Sequence, residues 1–531
     1  MEEITSALSS AQKAQLHQVA DGLLEIYQTL VRMAYLDASW IARPPYQDVD
    51  SRLVPMWKSF KLDPAVIYLY SILPYVENSG DLGLDFFQGG QFADFRCQRD
   101  VAANRNPFYF PEEDSMPPTM TALSTMGNHE GVILYDSKRH RIGLFDQMGD
   151  WNNDYVVSEE RRKRRDSGSG REQPKRYEDD ADEGEYGELM KDGRDAGEVL
   201  RDMKKWYLEL RETPGGGELT GNDWLKELVK PLYEKHGWPR EDFDQDAFLA
   251  DLVRARALRK VKYFAEEPLR KVECYKGWLA MPSYEDKEFE KLRAKIGEAK
   301  TVQEEWVARW GLYSKERNKR SNEKDLERAE EQVKAECPGG KCWKDEDLPV
   351  MELKHVATEY FYAQRRVRDR EARLTAMKAH QAVPKQMLRQ MEMQLGQAER
   401  QLAVVRKAYE ACKAEVERLH PELSLSFLRV LGRFGVDVKS TLQRDIDTIN
   451  DMESQAKELQ EWLAQVPDEA TEARQLIQEA IADFKKGTDF PRRSKDYYEG
   501  EMRKWEAEEG EYEGSSEIYE LLRAIENLAS Y

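Results

Sequence analysis

The chain has 531 residues, of which 40% are apolar and 34% charged, with a formal net charge of −20. Its length exceeds what one core can organise and predicts about three or four domains of roughly 150 residues, while a mean hydropathy of −0.80 suits long solvated helices better than a compact enzyme. The charge disfavours general nucleic-acid binding unless a local basic face dominates, the lack of any run of ~20 apolar residues disfavours a membrane span, and five scattered cysteines favour a reducing, intracellular setting, in the cytoplasm.

The first element is a helix carrying Leu16, Val19, Leu23, Leu24, Ile26, Leu30 and Val31 on a broad face and ending near Asp37. Asp63-Pro64 then places a capping residue and a helix-starting proline before Ala65–Tyr70, and Pro74 stops that helix. Gly89-Gly90 marks a tight turn after Phe86-Phe87. Val132–Tyr135 and Arg141–Phe145 read as two short strands joined by the hairpin-length segment Asp136–His140. Residues 1–155 are thus expected to form an α+β domain.

Residues 156–197 shift to the basic run Arg161, Arg162, Lys163, Arg164, Arg165, then Ser-Gly repeats, then a dense acidic stretch, and read as a disordered charged linker. Helical spacing resumes near Val199, with tryptophans at 206, 224, 238, 278, 306 and 310 as packing anchors for a helical region over 198–349. Tyr284 to about Glu336 reads as one long solvated helix.

The strongest pattern lies in 350–486. Leu388, Met391, Leu395, Ala398, Leu402, Val405, Tyr409, Cys412, Val416 and Leu419 alternate at spacings of three and four, which keeps one apolar seam along an underwound helix. Leu353, Val356, Tyr360, Ala363, Val367, Leu374 and Met377 repeat the spacing in the preceding helix, interrupted by Arg370. Pro384 between them costs ~3 kcal/mol inside a helix and almost nothing at its start, so a helical hairpin within one chain is the cheaper solution; an intermolecular coiled coil, giving a homo-oligomer, buries the same seam. Leu442, Ile449, Met452, Ala456, Leu459 and Leu463 form a third seam, and Ala473, Ile477, Ala480 and Phe484 a shorter fourth helix. Residues 487–531 read as an acidic tail with a short helix. The fold class expected is mainly α, with a small N-terminal α+β domain and a large helical region forming a bundle or coiled coil.

Chemical motifs are sparse. Gly127-Asn128-His129-Glu130 resembles the Gly-Asn-His-Glu element of calcineurin-like metallophosphoesterases, in which Asn ligates a metal and His stabilises the phosphoryl transition state, but an upstream Asp-x-His is absent, Gly80-Asp81 reaches Asp85 one position late, and only His140 follows within a hundred residues. Gly215-Gly216-Gly217 with Gly221 follows Pro214 rather than a strand, and Gly339-Gly340-Lys341 lacks the first glycine of a phosphate loop, so both read as turns. Asp242, Asp244 and Asp246 lack the Gly and Glu of a calcium loop and solvate a helix start. Cys337 and Cys342 bracket a turn in which a disulfide can close, with no second cysteine pair or histidine to complete a zinc site. No cofactor or metal is expected. Arg161–Arg165 has two readings, a solvated segment or a nuclear-import signal, and Ser167 after Arg164-Arg165-Asp166 fits the pattern of basophilic kinases.

Residues 64–147 carry a resemblance. Pro64-Ala65-Val66-Ile67, Leu69-Tyr70, Leu73-Pro74, Gly89-Gly90, Leu123-Ser124, Gly127-Asn128, Ile133–Asp136, Arg141-Ile142 and Asp146-Gln147 occur in an order that resembles the SUKH superfamily, and the same string is similar to uncharacterised filamentous-fungal proteins. SUKH proteins include fungal regulators of cell-wall synthesis and bacterial toxin-immunity proteins, so the resemblance implies an α+β protein-binding domain without catalysis. It covers about a sixth of the chain and transfers no functional residue.

These features favour a non-enzymatic intracellular interaction or scaffold protein with protein partners. Phe86, Phe87, Phe92 and Phe95 are candidate partner contacts, because clustered aromatics give large contacts at low entropy cost; core packing is the competing use. A metal-dependent hydrolase centred on Asn128 and His129, with Asp136 and His140, is the first alternative, and a nuclear regulatory protein resting on the basic run is the second.

Overall fold

Val132–Asp136 (β6) and Arg141–Phe145 (β7) pair antiparallel with Val132 opposite Phe145 and Asp136 opposite Arg141, as the two apolar runs predict. The computed structural model describes residues 1–77, 83–111, 116–127, 130–146, 152–166, 184–380, 383–423, 425, 428 and 438–509. The protein is mainly α, with small sheets near the N-terminus and a large helical region. Its contacts divide it into two units, Met1–Leu252 and Val253–Tyr531.

In the first unit the opening helix is Ser10–Arg32. Ser9 starts it with a capping box: its hydroxyl accepts from the Gln12 amide while the Gln12 side chain accepts from the Ser9 amide. Leu16, Val19, Leu23, Ile26 and Leu30 are buried at helical spacing, each contributing about 1.5–3 kcal/mol by leaving water. Pro64–Ile72 begins as expected, with the Asp63 carboxylate accepting from the Ala65 amide at 2.8 Å, and ends where Leu73, extended before Pro74, leaves the helical region.

The main sheet has the order β4-β6-β7-β8, where β4 is Met120–Ala122 and β8 is Arg194–Asp195, and all its pairs are antiparallel. Ile41–Ala42 (β1) pairs with Tyr75–Val76 (β2), and Gln91–Phe92 (β3) with Ser124–Thr125 (β5). On one face Met120, Ala122, Val132, Leu134 and Phe145 pack with Tyr186 and Met190.

The expected linker is therefore corrected over its described residues. Tyr155–Asp166 and Gly184–Met190 are helices, β8 extends the sheet, and Asp195 caps the helix Ala196–Leu208 by accepting from the Glu198 amide at 3.0 Å. The reason is tertiary: Tyr186 and Met190 enter the sheet core, and Ala196–Leu208 lies against Ser10–Arg32 with Leu200 over Gly22. The described contacts consequently break at 252 and not at 155.

The second unit is helical throughout its described elements. The long helix expected from Tyr284 to Glu336 is two helices, Asp286–Glu298 and Val302–Glu336. Thr301 interrupts it by acting as an N-cap, its hydroxyl accepting from the Glu304 amide at 3.1 Å while Glu304 accepts from the Lys300 amide at 2.7 Å. Cys337 and Cys342 are joined by a disulfide across the turn that follows. The third seam lies on Val438–Leu463, with Leu442, Ile446, Ile449 and Leu459 buried, and packs against Thr471–Gly487 through Ala473, Ile477 and Ile481. Trp306, Trp310 and Tyr313 close the other side of that cluster against Trp462. The helix expected in the acidic tail lies at its start and is longer than a short one: Asp489–Glu509 packs on Val438–Leu463, with Met502 buried and Arg492 paired with Glu453.

Candidate functional site

The helices Leu348–Ala379 and Lys385–Leu419 form an antiparallel hairpin, closing their seams on each other within one chain. Pro384 occupies the N-cap of the second helix with extended ψ, which places the reversal where the proline is cheapest. Val356, Ala363, Val367 and Leu374 face the buried Ala398, Val405, Cys412 and Val416, and Tyr360 stacks on Tyr409 with 4.6 Å between ring centroids. Leu419 departs from the expected pattern and is exposed at the end of its helix.

At the open end of this hairpin Arg254 bridges both helices. Its Nε donates to Glu352 at 2.7 Å and its Nη2 to Glu415 at 2.7 Å, while the Cys412 thiol lies 3.5 Å from Glu352. Hydrogen bonding to Glu352 dominates over burial and holds the Arg254 guanidinium firmly protonated; burial, with Glu352 beside it, pushes the Cys412 thiol up to about 12. Cys412 is thus an inert core thiol, as its seam position predicts. The outer faces of the two helices remain exposed and highly charged.

In the first unit the four candidate phenylalanines are buried, each at 5% exposure or less, so they are core and not displayed contacts. Phe86 stacks on Phe92 at 4.7 Å, Phe87 on Trp206 at 6.0 Å, and Phe95 on Tyr70 at 4.0 Å. Their clustering reflects three facing elements that each need a large apolar anchor. Asn128, His129 and Ser167 lie outside the described residues. Asp136 holds the β6–β7 turn by accepting from the Lys138 amide at 2.8 Å and from Arg139 Nη1 at 2.9 Å. His140 is buried, with Nδ1 3.2 Å from the Tyr135 hydroxyl and Nε2 2.9 Å from Gln18, and burial lowers its pKa. Asp136 and His140 therefore spend their polar atoms on the turn and its docking. Arg161, Arg162 and Lys163 are exposed on Tyr155–Asp166, with Arg161 paired to Asp192; Arg164 and Arg165 continue that helix. Among the described residues no group of three or more His, Cys, Asp or Glu side chains is placed to hold a metal ion, and no helix is long and apolar enough to cross a membrane.

One constellation escaped sequence reasoning. Asp85 is fully buried, and its carboxylate accepts from the amides of Gly217 at 3.0 Å, Leu219 at 3.1 Å and Thr220 at 2.9 Å, and from the Thr220 hydroxyl. Beside it Glu130 Oε1 accepts from the Glu218 amide at 2.6 Å, while Glu130 Oε2 is buried without a partner among the described residues. The triglycine turn is thus an anion-binding nest filled by the protein's own carboxylate. Close approach requires the glycines: a Cβ on Gly217 would lie 2.6 Å from Gly89 Cα, and one on Gly89 would lie 2.7 Å from Glu130 Cδ. Burial, opposed by the Glu218 amide and reinforced by the Asp85 charge, raises the Glu130 carboxyl to about 7. The arrangement clasps a loop and titrates near neutrality. No local signal marks it, since the partners lie 132 residues or more apart for Asp85.

Comparison of the chain with protein-family models, with curated proteins and with solved structures finds no match.

Proposed function

We propose that this is a non-enzymatic interaction or scaffold protein acting inside the cell on protein partners. The observation that carries this reading is the Leu348–Leu419 hairpin, whose helices of 32 and 35 residues satisfy their apolar seams with each other. At 1.5 Å per residue such helices run about 50 Å, and they keep their outer faces for contacts other than their own folding. The Val302–Glu336 helix supports the same reading, with only Ala329 of its 35 residues fully buried among those described. The resemblance of residues 64–147 to SUKH domains adds a binding role for the first unit. The buried phenylalanines move the search for contacts to the helical surfaces.

The test is cross-linking of the full-length protein in native extract, with cross-linked sites mapped by mass spectrometry. Specific partner proteins joined through the exposed Lys354 and Lys407 on the hairpin are expected. Recovery of the same proteins with an unrelated helical bait, and none specific to this chain, sinks the reading.

A further inference from the structure

The hairpin is electrically polarised in a way the whole-chain charge conceals. Residues 365–407 contain eleven Lys or Arg against four Asp or Glu, a net of +7, whereas 348–364 and 408–419 together contain three against five, a net of −2. Eight of the eleven cations are arginines. This basic end belongs to a chain of net charge −20, and it meets the condition under which an acidic protein can still hold a polyanion.

One flank of the basic end is organised. Helical spacing puts Tyr362, Arg366, Arg370 and Arg373 on one side of the seam of Leu348–Ala379, and Gln394, Gln397 and Gln401 on the facing side of Lys385–Leu419. Contacts fix the juxtaposition: Arg366 Nη1 donates to Gln401 Oε1 at 2.9 Å, and Arg370 Nη1 donates to the Gln394 carbonyl. The Arg366 guanidinium lies 4.8 Å from the centre of the Tyr362 ring, which is 59% exposed. The same spacing turns Glu371, Glu392 and Glu399 off this flank, with Glu392 paired to Lys378 at 2.7 Å on the other side of the seam, while Asp369, three positions after Arg366 and four before Arg373, stays on it among the cations. Burial and the neighbouring Arg366 and Arg373 charges depress the Arg370 pKa, so these cations repel one another.

We propose that the Tyr362–Arg373 flank of the hairpin, faced by Gln394, Gln397 and Gln401, binds single-stranded nucleic acid. Planar guanidinium forks suit phosphate oxygens better than lysine ammonium groups do, exposed tyrosine offers a stacking face for a base, and carboxamides present both donors and acceptors to base edges. The carboxylate of the acidic end nearest Arg366 on its own helix, Glu359, stands 7 positions away, about 10 Å along the helix, and is paired with Lys260 at 3.3 Å. That exceeds a Debye length of about 8 Å at physiological salt, and Glu359 already has its cation, so the acidic end of the hairpin does not cancel the field at the flank.

The experiment is fluorescence anisotropy of the full-length protein with labelled single-stranded RNA and DNA, and with labelled polyglutamate as the acidic-protein rival, between about 50 and 200 mM salt. Binding to at least one oligonucleotide is expected, with log K falling linearly against log salt. Arg366→Gln with Arg373→Gln is expected to weaken it at least about tenfold at the lowest salt and to reduce the slope by about 1.4, at roughly 0.7 per lost phosphate contact. Gln397→Glu with Gln401→Glu, on the facing helix, is expected to do the same while helical circular dichroism and melting stay unchanged, which separates lost binding from lost folding. Absence of oligonucleotide binding, binding indifferent to both double variants, or preference for polyglutamate overturns the proposal.

Discussion

Tyr360 and Tyr409 stack nearly parallel across the hairpin, with ring planes 8° apart. The pair links the two seams about two turns from the Arg254 bridge, on the side towards the hairpin turn, and Phe361 packs on Tyr409 from the side. Such stacked pairs contribute about 0.5–1.5 kcal/mol beyond the area they bury. Tyr360→Ala and Tyr409→Ala are each expected to destabilise the helical unit by about 1–3 kcal/mol, and a double-mutant cycle in denaturant should return about 1 kcal/mol of coupling. Strict additivity would show that the stack is incidental.

The Arg254 bridge predicts a larger and asymmetric effect. Arg254→Ala leaves Glu352, whose side chain is 10% exposed, without its cation and across from Glu415. Removing one member of a buried pair costs about 3 kcal/mol or more, whereas replacing both by apolar residues is often near neutral. The double variant Arg254→Met with Glu352→Leu should therefore unfold at higher denaturant than Arg254→Ala alone. The reverse order in equilibrium unfolding contradicts this account.

These two features differ in how visible they are in the amino-acid order. The seam from Leu388 to Val416 and the break at Pro384 are local and periodic, and the structure places the hairpin there. Asp63-Pro64 likewise marks a helix start whose cap uses only neighbouring atoms. Arg254 offers no such sign, because its partners are 98 and 161 residues away. The four phenylalanines were legible as a cluster but not as core, since the same clustering suits an interface and an interior. Tyr186 and Met190 sit in a stretch so acidic that composition argues for disorder, and only the sheet they cover reveals their use. The basic flank illustrates the converse: Arg370 appears as a defect in a heptad until its neighbours on the other helix are known.

Asp85 is expected to govern the order of the loop it holds. Asp85→Asn replaces one acceptor oxygen by a donor amide facing the Gly217, Leu219 and Thr220 amides, and each charged hydrogen bond of this kind is worth about 1.5–3 kcal/mol. A loss of about 3 kcal/mol in the first unit is expected, together with faster hydrogen exchange confined to peptides covering 214–221. Unchanged exchange in those peptides is incompatible with the clasp.

Glu130 gives the same clasp a dependence on pH whose sign follows from its environment. Its carboxyl shifts from an ordinary 4.5 to about 7 in the folded protein, by burial first, with the Asp85 and Glu218 charges adding and the Glu218 amide opposing. Between those values the folded protein retains a proton that the unfolded chain has released. Stability from this group is therefore complete below about pH 4.5 and is lost as pH rises through about 7. The partly exposed setting of Glu130 screens the effect, so the direction is the prediction. Melting temperatures of the first transition should fall more steeply across this window in the natural protein than in Glu130→Gln, where the titrating group is gone. The Gln variant should also melt higher above pH 7, since it no longer places a second charge beside Asp85. Parallel pH profiles for the two proteins would assign the slope to other groups and leave Glu130 a bystander at the loop.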